Sequence, residues 1–85
     1  MLKPIMNAIH AIIGEYNSAV AYHPDSTWPQ DVIHMVAIMA EEAGEAVQAA
    51  NDVVYSDASL EPLRQELAQT AAMCIRCLVN LEDRA

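Results

Sequence analysis

The sequence is poor in the residues that many functions require. Only four of its 85 residues are Lys or Arg, against twelve Asp or Glu, which gives a formal net charge of −8. Such a surface repels nucleic-acid phosphates, so we expect no nucleic-acid partner. The chain also lacks the uncharged apolar run of about 18 residues that a membrane span needs. We therefore expect a soluble, cytoplasmic protein without a membrane partner, folded as one domain over residues 1–85.

Glycine and cysteine are equally scarce, with two of each. There is no glycine-rich phosphate loop. Cys74 and Cys77 form one CxxC pair, which does not complete a four-ligand zinc site. A redox CxxC begins a helix after a strand, whereas this pair lies inside a helical pattern. We expect two reduced, packed cysteines.

Apolar residues recur at helical spacing in three stretches, which predicts an all-α chain of three helices. The second helix is predicted to begin near Thr27, which has capping-box spacing with Gln30, and the third near its cap, Ser59. The apolar stripe of the second helix is Val32, Met35, Val36, Met39, Ala43, Val47, Ala50 and Val54. That of the third is Leu60, Leu63, Leu67, Ala71, Cys74, Leu78 and Leu81.

The second helix has another apolar face, formed by Ile33, Ala37, Ala40 and Gly44. A helix that is apolar on two sides is usually buried on two sides. Three helices in one chain hardly cover both faces, and a chain of this size buries little core alone. We therefore expect a helical bundle completed by homo-oligomerisation, as a homodimer or homotetramer.

The second helix carries an acidic cluster, Glu41, Glu42 and Glu45. Spacings of three and four residues make these side chains neighbours on a helix. No Lys or Arg lies within a turn of them, so their repulsion is not offset locally. On the third helix, Glu66 and Gln69 repeat the three-residue spacing at the edge of the apolar stripe.

The short second loop predicts that helices two and three are antiparallel neighbours. Glu42 and Glu45 of the second helix can then meet Glu66 and Gln69 of the third across a groove. Carboxylates that face each other without basic partners are oxygen ligands for a hard cation, and Mg²⁺ suits an open groove. A solvated acidic face is the alternative interpretation of the same pattern.

The segments Glu41-Glu42-Ala43-Gly44-Glu45 and Glu66-Leu67-Ala68-Gln69 resemble the MazG-like branch of the all-α nucleotide pyrophosphohydrolases. The resemblance extends from Trp28 to Leu81. It implies a helical-bundle dimer or tetramer that binds Mg²⁺, with Mn²⁺ as a possible substitute. It also implies cleavage of nucleoside triphosphates to a monophosphate and pyrophosphate.

The resemblance assigns Glu42, Glu45 and Glu66 to the metal. Gln69 stands where the family has Asp, so it would be a neutral metal ligand. Glu41, the outermost acid, is our candidate for the catalytic base.

Arg76 and His34 are candidates for binding the substrate phosphates. For Arg76 a structural ion pair is the alternative, and for His34 a partly packed helix position.

Two alternative functions remain open at this point. One is a related enzyme, a phosphoribosyl-ATP pyrophosphohydrolase. The other is a non-catalytic, metal-binding or interaction protein that keeps the fold, which the Gln69 departure favours.

Overall fold

A computed structural model describes residues 2–82 and Arg84. Within these residues the chain forms three α-helices and no strand. The helices are α1 (Leu2–Tyr22), α2 (Val32–Tyr55) and α3 (Glu61–Leu81), with a short 3-10 turn at Asp25–Thr27. The predicted all-α class is confirmed. None of the described helices combines the length and apolar character needed to cross a membrane.

Helix α2 begins later than the sequence predicts. Its N-cap is Asp31, whose carboxylate accepts a hydrogen bond of 3.0 Å from the backbone N–H of His34. The predicted capping box at Thr27 is wrong, because the hydroxyl of Thr27 donates to the carbonyl of Pro24 instead. The physical reason is Pro29, since a residue that precedes proline is disfavoured in the helical region. Trp28 is accordingly extended, with φ −72° and ψ 133°.

Helix α3 also lacks its predicted cap. The N-cap position is Leu60, with no side-chain hydrogen bond, and not Ser59. The loop before it is closed from its other end, where the N–H groups of Ser56 and Ala58 both donate to the carbonyl of Asp52. Asp57 between them has a positive φ of 58°. Aspartate tolerates this left-handed conformation better than most residues, so the loop turns without glycine.

The three helices pack with α3 in contact with both of the others. The thiol of Cys77 donates to the carbonyl of Met35, whereas Glu66 meets Glu42, so α2 and α3 run antiparallel. Arg76 donates to the carbonyl of Ala19, so the C-terminal ends of α3 and α1 lie next to each other. The core is small, and its buried members are Trp28, Met35, Ala72, Met73 and Cys77.

The predicted apolar stripes of α2 and α3 pack against the core only in part: Met35 is fully buried, and Met39 and Leu81 pack on the core, but other members are exposed. Val47 of α2 and Leu78 of α3 are 62% and 68% exposed. The buried residues of the two helices also include Ala46 and Ala72, which lie outside the predicted stripes. We call the uncovered side chains the outer apolar residues: Val32, Val36, Val47, Val54, Leu60, Leu67 and Leu78.

Two further expectations concern the same surfaces. The second apolar face of α2 is exposed, and Ile33 on it is 82% accessible. Both cysteines are free thiols, as predicted, but only Cys77 is packed, whereas Cys74 is exposed. The expectation that both cysteines are packed within the chain is therefore wrong, because Cys74 lies on the exposed part of α3 that also carries Leu67 and Leu78.

Candidate metal centre

Three carboxylates from two helices converge in the groove between α2 and α3. Glu42 and Glu45 lie one turn apart on α2, and Glu66 faces them from α3. One oxygen of each residue lies within 4.8 Å of an oxygen of both others. The i,i+3 spacing aligns the first two side chains, and the antiparallel packing brings the third opposite. We call these three residues the carboxylate cluster.

Within residues 2–82 and Arg84, no basic side chain forms an ion pair with the carboxylate cluster. Burial, followed by the charges of Glu45 and Glu66, raises the pKa of Glu42 above its ordinary value. Burial, followed by hydrogen bonding to Glu45 and the charge of Glu45, raises the pKa of Glu66. The ion pairs found among the described residues, Arg64–Glu61 and Arg76–Asp25, do not involve the cluster.

The orphaned atoms of the cluster test whether a metal fits it. Oε2 of Glu42 and Oε2 of Glu66 are buried without a hydrogen-bond partner among the described residues. An unpartnered buried oxygen is destabilising unless a donor or a cation reaches it. Anionic oxygen atoms are also the ligands that Mg²⁺ prefers. The donor set and its missing partners therefore suit a hard divalent cation.

A fourth acid, which the sequence analysis missed, lies beside the cluster. Glu15 of α1 lines a cleft of about 220 Å³ together with Glu42 and Gln69. The charge of Glu15 also contributes to the raised pKa of Glu66. The signal in the sequence was slight: Glu15 is the single acid of α1. Only the packing of α1 beside α3 shows that its carboxylate belongs to the same groove.

The other sequence-predicted residues are placed unequally. Gln69 lines the same cleft as Glu15 and Glu42, beside the carboxylate cluster. Glu41 is exposed and stays outside the cluster, because adjacent helical residues point about 100° apart. His34 is exposed at the start of α2. The roles proposed for Glu41 and His34 remain predictions that the packing does not support.

Arg76 of α3 is buried against the C-terminal end of α1 and the loop that follows it. Its side chain is 1% exposed and donates to the carbonyl of Ala19 at 3.1 Å and to that of His23. It pairs with Asp25 at 3.3 Å and lies 4.3 Å from the centre of the Trp28 ring. The structure therefore shows the ion pair that was the alternative for Arg76. A phosphate contact through its terminal nitrogens would require these bonds to break.

A second cleft, of about 280 Å³, begins at Arg76 and Trp28 and extends to Glu42. Glu42 thus borders both clefts and joins them at the carboxylate cluster. The sequence analysis did not foresee this cleft, because its walls come from the loop after α1 as well as from α2 and α3.

Comparison with known proteins adds no further identification: no family model, curated protein or solved structure matches this chain.

Proposed function

We propose that the protein is a Mg²⁺-dependent nucleoside triphosphate pyrophosphohydrolase, which converts the substrate to a nucleoside monophosphate and pyrophosphate. The observation that supports the proposal is the cluster of Glu42, Glu45 and Glu66. These residues belong to the two segments that resemble the MazG-like enzymes. A structural role explains the cluster poorly, because mutual repulsion and unpartnered oxygens destabilise the fold.

In this proposal the carboxylate cluster holds the metal. Bound Mg²⁺ supplies Lewis-acid chemistry: it polarises a phosphate and lowers the pKa of a water molecule. The oxygen of the Gln69 amide is a neutral ligand or positioning group at the edge of the site. Gln69 adds no charge, so the negative charge of the proposed site comes from the three clustered carboxylates. Three carboxylates suit one divalent cation.

A carboxylate outside the metal ligands has to accept the proton of the attacking water. Glu41 is the residue expected from the sequence, but it is exposed and outside the cluster. Glu15 lines the cleft beside Glu42 and has the better position. Separate Glu41→Gln and Glu15→Gln variants test this role: loss of the general base should lower kcat by about 10²–10⁴-fold, whereas the other variant should keep most of kcat.

We also propose that the enzyme is a homodimer or homotetramer. The outer apolar residues of α2 and α3 are exposed in the single chain, and so is the second face of α2. Several large apolar side chains exposed together are typical of an interface. Light scattering at micromolar concentration tests assembly, and a stable monomer would contradict it. Val47→Glu, on the outer apolar surface, is expected to weaken the assembly.

The activity is tested with a panel of nucleoside and deoxynucleoside triphosphates plus phosphoribosyl-ATP, each with Mg²⁺ or Mn²⁺. We expect pyrophosphate as the primary product, and its loss in Glu45→Gln. Glu82→Gln, an exposed glutamate at the end of α3, is the matched control. Orthophosphate with a nucleoside diphosphate would contradict the proposed bond choice. Preference for phosphoribosyl-ATP would identify the alternative enzyme.

Absence of turnover with every substrate and both metals would favour the non-catalytic, metal-binding protein. Gln69 supports that second candidate, since it lines the cleft without supplying the charge of an Asp. The two candidates differ in one measurement: both bind Mg²⁺, but only the enzyme releases pyrophosphate.

A further inference from the structure

The N-terminal half of α1 is poorly packed against its own chain. Every residue from 2 to 11 is exposed, although Leu2, Ile5, Met6 and Ile9 in this segment are large and apolar, with exposures between 41% and 75%. A cleft of about 440 Å³ lies between this half of α1 and α3. A helix shorter than about 12–15 residues is marginal in water, and helices in proteins owe most of their stability to packing of an apolar face. This half of α1 therefore needs a partner to cover it.

The exposed apolar side chains of α1 form one stripe. Leu2, Met6, Ile9 and Ile13 follow one another at intervals of four, three and four residues, which is the spacing of a helix–helix seam. We call these four residues the α1 stripe. No acid precedes Glu15 in α1, in a chain whose net charge is −8. The α1 stripe can therefore approach an acidic surface without repulsion.

Helix α2 presents an apolar face that matches the α1 stripe in shape. The helical period places six exposed residues on one side of α2, and we call them the open face of α2: Ile33, Val36, Ala40, Gly44, Val47 and Val54. Ala40 and Gly44 make the centre of this face shallow, and no neighbouring helix lies within 4 Å of the position that a Cβ of Gly44 would occupy. The large side chains of the α1 stripe suit such a groove, because helices pack by inserting ridges into grooves.

Charge decides which helix suits the open face. Helix α2 carries Glu41, Glu42, Glu45 and Asp52 and no Lys or Arg, so two copies of α2 side by side would repel each other. Helix α1 carries Lys3, the single lysine of the chain, directly after the first residue of the α1 stripe. Glu41 is exposed and directly follows Ala40 of the open face. The α1 stripe and the open face of α2 are thus complementary in charge as well as in shape.

We propose that the α1 stripe of one protomer packs on the open face of α2 in a second copy of the chain, and that the reciprocal contact closes a dimer about a two-fold axis. A second copy supplies both surfaces, so one kind of contact, formed twice, covers both. The inference rests on the proposed assembly for the identity of the partner and adds which surfaces meet. Because α1 also carries Glu15, the contact fixes the helix that brings this acid beside Glu42.

Lys3 provides the first test, because a carbodiimide joins a lysine directly to a carboxylate. Isotopically heavy and light wild-type protein are mixed, cross-linked and digested, and mass spectrometry identifies peptides that join a heavy chain to a light chain. We expect Lys3 of one chain to be joined to an acid of α2, Glu41 above all, in the other chain. A dimer without such a cross-link, or with Lys3 joined only to Glu15 of the other chain, would overturn the proposal.

The second test places a charge in each surface. Ile9→Glu in the α1 stripe and Val47→Glu in the open face are each expected to weaken the dimer by about tenfold or more in analytical ultracentrifugation, because a carboxylate would be buried without a partner. His10→Glu is the matched control, since it adds the same charge at an exposed position that points about 100° away from Ile9. Unchanged association of the Ile9→Glu protein would overturn the proposal.

The third test mixes the Ile9→Glu and Val47→Glu proteins. Each variant alone forms a dimer with two damaged contacts, whereas the mixed dimer has one contact in which both surfaces are wild type. We therefore expect the mixture to associate more tightly than either variant alone. No gain on mixing would overturn the proposal, because pairing of α1 with α1 and of α2 with α2 leaves no undamaged contact.

Circular dichroism checks that the variants remain helical, and if either does not fold, the cross-linking of the wild-type protein decides. A wild-type monomer would overturn both this inference and the proposed assembly. A wild-type dimer joined through other surfaces would overturn this inference alone. None of these measurements depends on turnover, so the release of pyrophosphate tests the proposed activity separately.

Discussion

Glu42 and Glu66 face each other across the antiparallel helices α2 and α3, with ligand oxygens that lie within 4.8 Å. Each has one buried oxygen without a partner among the described residues. Burial and neighbouring carboxylates raise the pKa of both groups, and charge that is left without a partner destabilises the metal-free fold. A cation that binds the native state reverses this effect, so the response of stability to Mg²⁺ measures the cluster directly.

Mg²⁺ is expected to raise the melting temperature of the wild-type protein. Binding to the native state alone contributes about 2.7 kcal/mol when the concentration is one hundred times Kd. The Glu42→Gln, Glu45→Gln double variant should respond less to Mg²⁺ and start from a higher metal-free melting temperature, because repulsion is removed. Glu82→Gln removes an exposed carboxylate outside the cluster and is the control for loss of surface charge. An equal Mg²⁺ response in the double variant and the wild type would contradict the metal assignment.

Without metal, stability is expected to rise as the pH falls from neutrality. The folded-state pKa values of Glu42 and Glu66 are raised by burial and by their neighbours. The folded protein therefore binds protons more tightly than the unfolded chain, and stability falls as pH increases between the two pKa values. The gain on acidification begins near the raised values and is complete near pH 4.3, the pKa of an unperturbed Glu.

The pH effect is measured by thermal melts between pH 7 and about pH 4.3, with chelator present. The Glu42→Gln, Glu66→Gln variant should show a smaller rise in melting temperature on acidification than the wild type. Saturating Mg²⁺ should diminish the rise in the wild type, because the metal replaces the protons. A wild-type melting temperature that falls as steeply as that of the variant would show that the raised pKa values do not govern stability.

Gln69→Asp places a carboxylate where the resemblance expects one. The added charge is expected to lower the metal-free melting temperature through repulsion from Glu42, which borders the same cleft. It should also increase the rise in melting temperature caused by Mg²⁺, because opposite charges attract strongly in a partly excluded groove. Gln69→Glu, which keeps the side-chain length, distinguishes charge from reach. Unchanged values for both variants would place position 69 outside the metal site.

Arg76→Met is expected to destabilise the fold by about 3 kcal/mol, because it leaves buried carbonyl oxygens unpaired and removes the group packed on Trp28. The matched control is Arg64→Met, whose ion pair with Glu61 is largely exposed and on the same helix. That change should alter stability by less than about 1 kcal/mol. Urea denaturation followed by circular dichroism gives both values. Similar small losses in the two variants would show that Arg76 does not anchor the helix ends.

The sequence by itself determined the helical class, the three segments and the acidic pairs. Periodicity and spacing are local properties, so Glu42 and Glu45 could be placed on one helix face without knowledge of the packing. The same reasoning placed Glu41 away from the apolar stripe, and the structure shows it exposed. The antiparallel arrangement of α2 and α3 was also predictable, because the loop between them is short.

Local capping was less predictable, since several polar residues compete at a helix start. Thr27 and Asp31 both offer oxygen atoms ahead of α2. The choice of Asp31 depends on the extended Trp28 imposed by Pro29 and on the burial of the Trp28 ring. That burial is a tertiary contact with α3, which no spacing within the loop encodes.

Tertiary structure decided which residues of each apolar stripe are buried and which are left exposed. Leu67 and Leu78 are more apolar than Arg76, yet they are exposed, whereas Arg76 is buried. Arg76 is stable there because backbone carbonyls, Asp25 and the Trp28 ring offset the loss of hydration. Glu15 joined the site for a related reason: its partners lie on other helices. Contacts between elements distant in sequence set both outcomes, and a periodic pattern reports only the order of residues along one helix.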